Sequence, residues 1–296
     1  MELRHLRYFL AVAREGNVTR AAASLHVTQP TLSRQLADLE QELGRELLVR
    51  ESRGVSLTDD GMLLRKRAEE IVALADRTER EMLADDSQVE GDIWVGGGET
   101  RTMELVSRAM VRISEAHPGI RINLHSGNAD DVMERIDKGL LDFGLVIGRT
   151  PESRFEALEV PAIERWGVLV RRDDPLAAKD LVAIDDLAER RLIVSSQPAD
   201  ARQGTSEVEQ LLGKLSDNVV ATYTLLFNAS LLVEQGLGVA VCLDGIIPAG
   251  EGTPFAFVPT DLQPSAQTYL IWKRFVPQSR AAQLFLHEMR DLCAEC

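Results

Sequence analysis

Apolar residues recur at helical spacing from the start of the chain. Leu3, Leu6, Phe9, Leu10 and Ala13 form one stripe, so the N-terminus opens with an amphipathic helix that Gly16 ends. Asn17 or Thr19 can cap a short second helix, RAAASLH, whose Ala21, Ala22 and Ala23 let another helix cross closely. The third helix lies in "TQPTLSRQLADLEQELG", residues 28 to 44. Thr28 is its N-cap, Pro30 is tolerated in the first turn, and Leu32, Leu36, Leu39 and Leu43 bury one face. At about 100° per residue, Pro30, Arg34, Ala37 and Gln41 fall opposite those leucines, with Thr31 and Ser33 on the flanks. Helix, tight turn and capped polar helix is the helix-turn-helix plan, with a plain helical bundle as the competing reading. The next stretch, "LLVRESRGVSLT", favours the first. It alternates and turns at Arg53-Gly54, as a β-hairpin wing does, and brings Arg50 and Arg53, phosphate-contacting residues by type, to its tip.

A long helical stretch follows. Thr58 is its cap, Asp59 and Asp60 suit the positive end of the helix dipole, and no proline appears before Pro118. Leu64, Ala68, Ile71, Ala75, Thr78 and Met82 step by four and three in turn, a heptad-like seam along ~45 Å of helix. One copy would expose that seam, so the pattern predicts pairing with a second copy, and a two-fold dimer would offer two reading heads to a near-palindromic site. The alternative is a lone helix packed on its own C-terminal domain.

From Gly91 onward the texture becomes strand, helix, strand, helix, which implies parallel α/β sheets. "DIWVGGG", "IRINLHSG" and "LDFGLVIG" read as strands, with helices at "TRTMELVSRAMVRISEAHP" and "NADDVMERIDKG". A second unit begins near Trp166 with "WGVLVRRDDPLA" and continues through "RLIVSSQ", a helix near "TSEVEQLLG", then "VVATYTLLFNASLLVEQG", "VAVCL" and "FAFVP". "TYLIWKR" and "RAAQLFLHEMRDL" add a last strand and helix. Two similar lobes suggest a cleft.

The reading helix, the wing "RGVSLT", Gly61 just inside the next helix and the long linker together resemble the LysR-type transcriptional regulators, in order and over the whole chain. The resemblance implies an N-terminal all-α winged helix-turn-helix plus long linker helix, then a C-terminal α/β two-lobed effector domain like that of periplasmic binding proteins. It places the DNA-binding domain at residues 1–58, the dimerisation helix at 59–90 and the effector domain at 91–296. Lobe I would be about 91–161 and 267–296, lobe II about 162–266, with the chain crossing near Ala162 and Ala266. It further implies that Gln29, Pro30, Thr31, Ser33 and Arg34 face the groove of a double-stranded DNA operator, and that Arg50 and Arg53 stand on the wing. A homodimer through the linker and a homotetramer through the effector lobes are expected on the same ground.

In open parallel sheets a ligand lies past the carboxyl ends of the strands, where helix N-termini offer free N–H groups. Three junctions meet that description: Gly97, Gly98, Glu99 and Thr100; Ser126, Gly127 and Asn128; and Phe227, Asn228, Ala229 and Ser230. Ile147 ends another strand of the first lobe, and Ser195 and Ser196 end one of the second. On the family's pattern the first junction offers a hydroxyl where this chain has Gly98, which leaves Thr100 as the nearest one. Glu99 beside it sets a negative charge against an anionic effector. Each residue could serve only as a cap or turn, but as a set they mark the cleft.

Composition sets the remaining bounds. The chain has 296 residues, 45% of them hydrophobic, enough for two or three domains with real cores. No apolar run approaches the ~18 residues of a membrane span, and the run YFLAVA is too short for a secretion signal, so a cytoplasmic protein with no membrane partner is expected. Three cysteines, Cys242, Cys293 and Cys296, make no disulfide framework, and the terminal C-x-x-C reads as a frayed end, neither a redox nor a metal site. HExxH and GxSxG are absent, "VGGGET" lacks the GK[ST] of a nucleotide loop, and the five histidines are scattered, so neither catalysis nor a cofactor is expected. A free-standing solute-binding protein would leave the reading head unexplained. A cysteine-switched regulator would need a cysteine at or after Ser195-Ser196, which favours an effector that is a small molecule.

The net charge of -14 is at odds with a DNA reader until it is divided along the chain. Residues 1–58 hold eight Lys or Arg against seven Asp or Glu, and residues 59–90 hold five against ten. The acidity therefore belongs to the linker and lobes. Asp38 is the first carboxylate of the reading helix, ~6 Å along the axis beyond Arg34. With one basic residue on that helix, specific binding should depend on two or more joined heads.

Overall fold

The computed structural model describes residues 1–51, 54–83, 89–147, 153–196, 215–261 and 266–295. Two compact units divide the chain, Met1–Ala84 and Asp85–Cys296.

In the first unit, α1 (Leu3–Glu15), α2 (Val18–Ser24) and α3 (Gln29–Leu43) are followed by the hairpin β1 (Leu48–Glu51) and β2 (Gly54–Leu57), then by α4 (Asp59–Leu83). Local chemistry sets each boundary. Gly16 ends α1 in the left-handed region at φ 59°, and Asn17 accepts the N–H groups of Thr19 and Arg20 to start α2. Thr28 caps α3 through the N–H of Thr31, and Gly44 ends it at φ 64°. Phe9, Val12, Ala21, Ala22, Leu32, Leu36 and Leu39 form the core of the head. Leu43 differs from the expectation: it is exposed, because it sits on the last turn of α3, beyond the reach of α1 and α2.

Gly61 allows α4 to begin where it does. A Cβ there would lie 2.2 Å from the Leu47 carbonyl oxygen, while its N–H is accepted by the Thr58 hydroxyl at 2.9 Å. The expected seam of α4 divides in two. Leu64 packs on the head's core and Ala68 is fully buried, whereas Ile71 and Met82 are exposed. Leu63 and Leu74 are exposed with them, and the four fall within about 100° of arc on one face. The helix runs 25 residues, and the rest of the expected linker up to residue 88 lies outside the described residues.

The second unit contains two five-stranded sheets of matching order. Lobe I is built on β3 (Gly91–Gly97), β4 (Ile120–Ser126), β5 (Phe143–Ile147), β6 (Phe155–Glu164) and β12 (Ala266–Lys273), arranged β4-β3-β5-β12-β6. Lobe II uses β7 (Trp166–Arg171), β8 (Leu192–Ser195), β9 (Val219–Tyr223), β10 (Val239–Leu243) and β11 (Phe255–Pro259), arranged β9-β8-β10-β7-β11. The sheets are mixed and not purely parallel. In each, three parallel strands are joined to a strand running the other way, β12 or β7, because those two strands enter from the opposite lobe. The first crossing follows Glu164, past the expected Ala162, since β6 stays paired with β12 through Glu164 and Ala266. Lobe I packs α5 (Met103–Ala116) and α8 (Arg280–Glu295) on one sheet face, where Phe143 meets Phe285 at 4.9 Å between ring centroids, and α6 (Ala129–Asp137) on the other. In lobe II, α7 (Leu226–Glu234) buries Leu226, Ala229 and Val233 against β7 and β10. The helix expected over 205–213 lies outside the described residues. Among the described residues no helix is long and apolar enough to cross a membrane.

Candidate functional site

The head presents α3 with its leucine face inward and its polar face outward. Gln29, Pro30, Thr31 and Arg34 are exposed, and Ser33 is half-buried on the flank. Gln29 Nε2 donates to Ser33 Oγ at 3.1 Å, and the hydroxyls of Thr28 and Thr31 are 2.8 Å apart. These bonds preset the first turn of the helix. Arg34 has no ion pair or hydrogen bond among the described residues, whereas Arg4, Arg7 and Arg45 each meet a carboxylate of the same unit. Its guanidinium is thus available to an outside acceptor.

The wing is tied to this helix by Glu40, whose carboxylate accepts the N–H groups of Leu47 at 2.8 Å and Leu48 at 3.1 Å. β2 is tied in turn to the end of α1, where Val55 donates to the Gly16 carbonyl at 2.9 Å. Arg50 pairs with Val55 across the hairpin, and Arg53 lies outside the described residues. Hydrogen bonds thus tie the described strands of the hairpin to the reading helix and to α1.

In the second unit, β3, β4, β8 and β9 end at Gly97, Ser126, Ser195 and Tyr223. A cavity of about 320 Å³ opens there. Ser126 lines it from lobe I, and Thr222, Thr224, Leu225, Asn228 and Leu232 line it from lobe II. Tyr223 borders it too, with its hydroxyl donating to the Val241 carbonyl at 2.8 Å and burial pushing its pKa up. Ser126, Asn228 and Ala229 were anticipated from the sequence; Thr222, Tyr223, Thr224, Leu225 and Leu232 were not. The exposed pair Thr222-Thr224 flanking Tyr223 at a strand's end was the one signal available.

The other anticipated residues are not among the lining residues and take distinct places in the two lobes. Gly127 donates to the Gly97 carbonyl at 3.1 Å and holds the ends of β3 and β4 together, beside Gly98. Asn128 caps α6 by accepting the N–H of Asp131 at 2.8 Å. Ile147 ends β5 opposite Thr268, and Ser195 pairs with Tyr223 between β8 and β9. Ser196 donates its N–H to the Tyr223 carbonyl at 2.7 Å. Phe227 is exposed. Thr100 is buried and is not among the residues lining the cavity, with its hydroxyl given to the carboxylate of Glu164, which also takes the N–H of Thr102 at 3.2 Å. Glu99 reaches across to lobe II, where its carboxylate accepts the N–H of Leu226.

In lobe I, His125 and Arg135 both bond the carboxylate of Asp131, at 2.5 and 2.9 Å. Burial raises the pKa of that carboxyl, but the two bonds outweigh it and hold the group below its ordinary value. Cys242 is buried in β10, and burial pushes its thiol up to about 12, the mark of an inert core cysteine. Among the described residues no cluster of three His, Cys, Asp or Glu could hold a metal ion.

Known proteins share both halves of this architecture. Residues 3–62 match the family model described as bacterial regulatory helix-turn-helix protein, lysR family, and residues 86–294 match the LysR substrate binding domain. The chain is similar to the SDS degradation transcriptional activation protein of Pseudomonas sp. (strain ATCC 19151), with 34% identity covering 78% of each chain. It is also 25% identical to the HTH-type transcriptional regulator YvbU of Bacillus subtilis (strain 168), covering 99% of both. In fold it resembles the crystal structure of CbnR, a LysR family transcriptional regulator, at TM-score 0.75 and 22% identity over 99% of each chain. CbnR complexed with its target DNA gives a TM-score of 0.74, covering 99% of this chain and all of that one.

Proposed function

The chain belongs to the LysR family of bacterial transcriptional regulators, DNA-binding proteins modulated by a small-molecule effector, and from that premise we propose how its parts divide the work. Residues 1–58 read the operator. α3 enters the major groove with Gln29, Pro30, Thr31, Ser33 and Arg34 against base edges and phosphates, and Arg50 and Arg53 take phosphates beside it. The observation that carries this reading is the exposed, unpaired Arg34 on a polar helix face whose N-terminal part, up to Asp38, holds no carboxylate.

Residues 59–90 pair two copies, and the exposed face of Leu63, Ile71, Leu74 and Met82 supports that role. The effector domain, residues 91–296, assembles the dimers into a tetramer. The effector occupies the cleft among Gly98, Glu99, Thr100, Ser126, Gly127, Asn128, Ile147, Ser195, Ser196, Phe227 and Asn228. Thr100 acts there through Glu164, as a positioning residue. Occupancy shifts the lobes and changes how paired heads sit on bent DNA. The protein works by binding alone, without catalysis, and in the cytoplasm where its operator is.

Selection of genomic fragments by the purified protein tests the reading. Recovery of a few fragments sharing a near-palindromic site is expected, with half-sites about one helical turn or a multiple apart. Uniform recovery of unrelated fragments would overturn it.

A further inference from the structure

Glu99 and Leu226 stand on different lobes of the second unit. Glu99 follows β3 in lobe I, and Leu226 opens α7 in lobe II. The first N–H groups of a helix have no partner inside it and carry the positive end of its dipole. A capping side chain or a bound anion can complete such an end. Here the chain supplies its own, since the N-cap residue of α7 is the aliphatic Leu225, with no side chain to cap, and the carboxylate of Glu99 accepts the Leu226 N–H instead.

The cavity lies beside this contact. Asn228 lines it from α7, Thr222 from β9, Thr224 and Leu225 from the junction between them, and Ser126 from β4. Hydroxyls and an amide are the polar groups they offer, and among the described residues none of its lining is charged. An anion entering here would meet Glu99 at the same helix end, where like charges repel, and would have to displace a carboxylate tethered to the protein. A neutral ligand meets neither obstacle.

We infer that Glu99 sets the charge of the effector: a tethered carboxylate fills the anion position at the start of α7, and the adjoining cavity takes an uncharged molecule held through hydroxyl and amide groups. The inference rests on the effector-cleft reading given above, and adds the class of ligand to it.

Propionate and propionamide, equal in shape and different in charge, are the probes. Each is titrated into the full chain, as wild type, Glu99→Gln and Glu99→Ala, at constant ionic strength, with the thermal unfolding midpoint as readout. Expected is propionate binding at least about tenfold tighter in Glu99→Ala than in the wild type, with Glu99→Gln between them because it keeps an oxygen for Leu226 but no charge. Propionamide affinity should differ between the proteins by far less. Equal propionate affinity in all three, no propionate binding in any, or the reverse order would overturn the inference. Selective operator binding by the wild type, read on the same preparation, separates this outcome from failure of the regulator reading itself.

Discussion

Glu40 on the reading helix accepts the N–H of Leu47 at the root of the wing, at 2.8 Å, and so fixes the angle between the two elements that face DNA. The same oxygen takes the N–H of Leu48. Removing the carboxylate leaves two part-buried donors without a partner. Glu40→Ala should destabilise the head by about 1–3 kcal/mol, seen as a lower thermal midpoint, and should weaken operator binding by loosening the wing. A variant as stable as wild type would show that the hairpin holds its angle without Glu40.

The exposed face of α4 leads to an association prediction. Leu74→Glu places a charge in the middle of the stripe formed by Leu63, Ile71 and Met82, without replacing the partly buried Leu64 or the buried Ala68. Sedimentation velocity should show the larger wild-type assembly falling to a smaller species while far-ultraviolet circular dichroism stays the same. An unchanged sedimentation coefficient would rule out this face as the dimer seam.

Asp131 sets a dependence on pH. Its carboxyl is held below the ordinary value of 3.8, although burial opposes this, because His125 and Arg135 bond the ionised form. The folded pKa is therefore lower than the unfolded one, so the stabilisation is present above about pH 5 and is lost as pH falls below about 4. Thermal melts of wild type and Asp131→Asn should differ at pH 7 and converge as the pH drops through that window. A gap that widens on acidification would contradict the assignment.

What the sequence revealed and what it concealed follow from the range of the interactions. The caps Asn17, Thr28 and Asn128 each bond an N–H two or three residues away, so their role is written locally. The polar face around Arg34 follows from helical geometry alone. Leu43 misled because periodicity says which side a residue is on and not whether anything lies opposite it. Glu164 drew no reading from the sequence, yet it is buried and bonded by the Thr100 and Thr102 hydroxyls, a placement fixed by the register of β6 on β12. The cavity was only half legible, since its lining joins the end of β4 to the edge strand of the other lobe, and no local pattern records that pairing. The contact between Glu99 and Leu226 spans 127 residues and was likewise beyond reach.

The central claim is that α3 reads DNA through Arg34, and a salt-controlled gel-shift titration of Arg34→Ala tests it most directly. On an operator fragment recovered by selection, the substitution should cost about 1–3 kcal/mol of specific affinity. Binding to unrelated DNA should weaken less, and the melting temperature should stay at the wild-type value, because Arg34 is exposed and bonds nothing in its own unit among the described residues. Operator affinity equal to wild type at the same salt would contradict the claim.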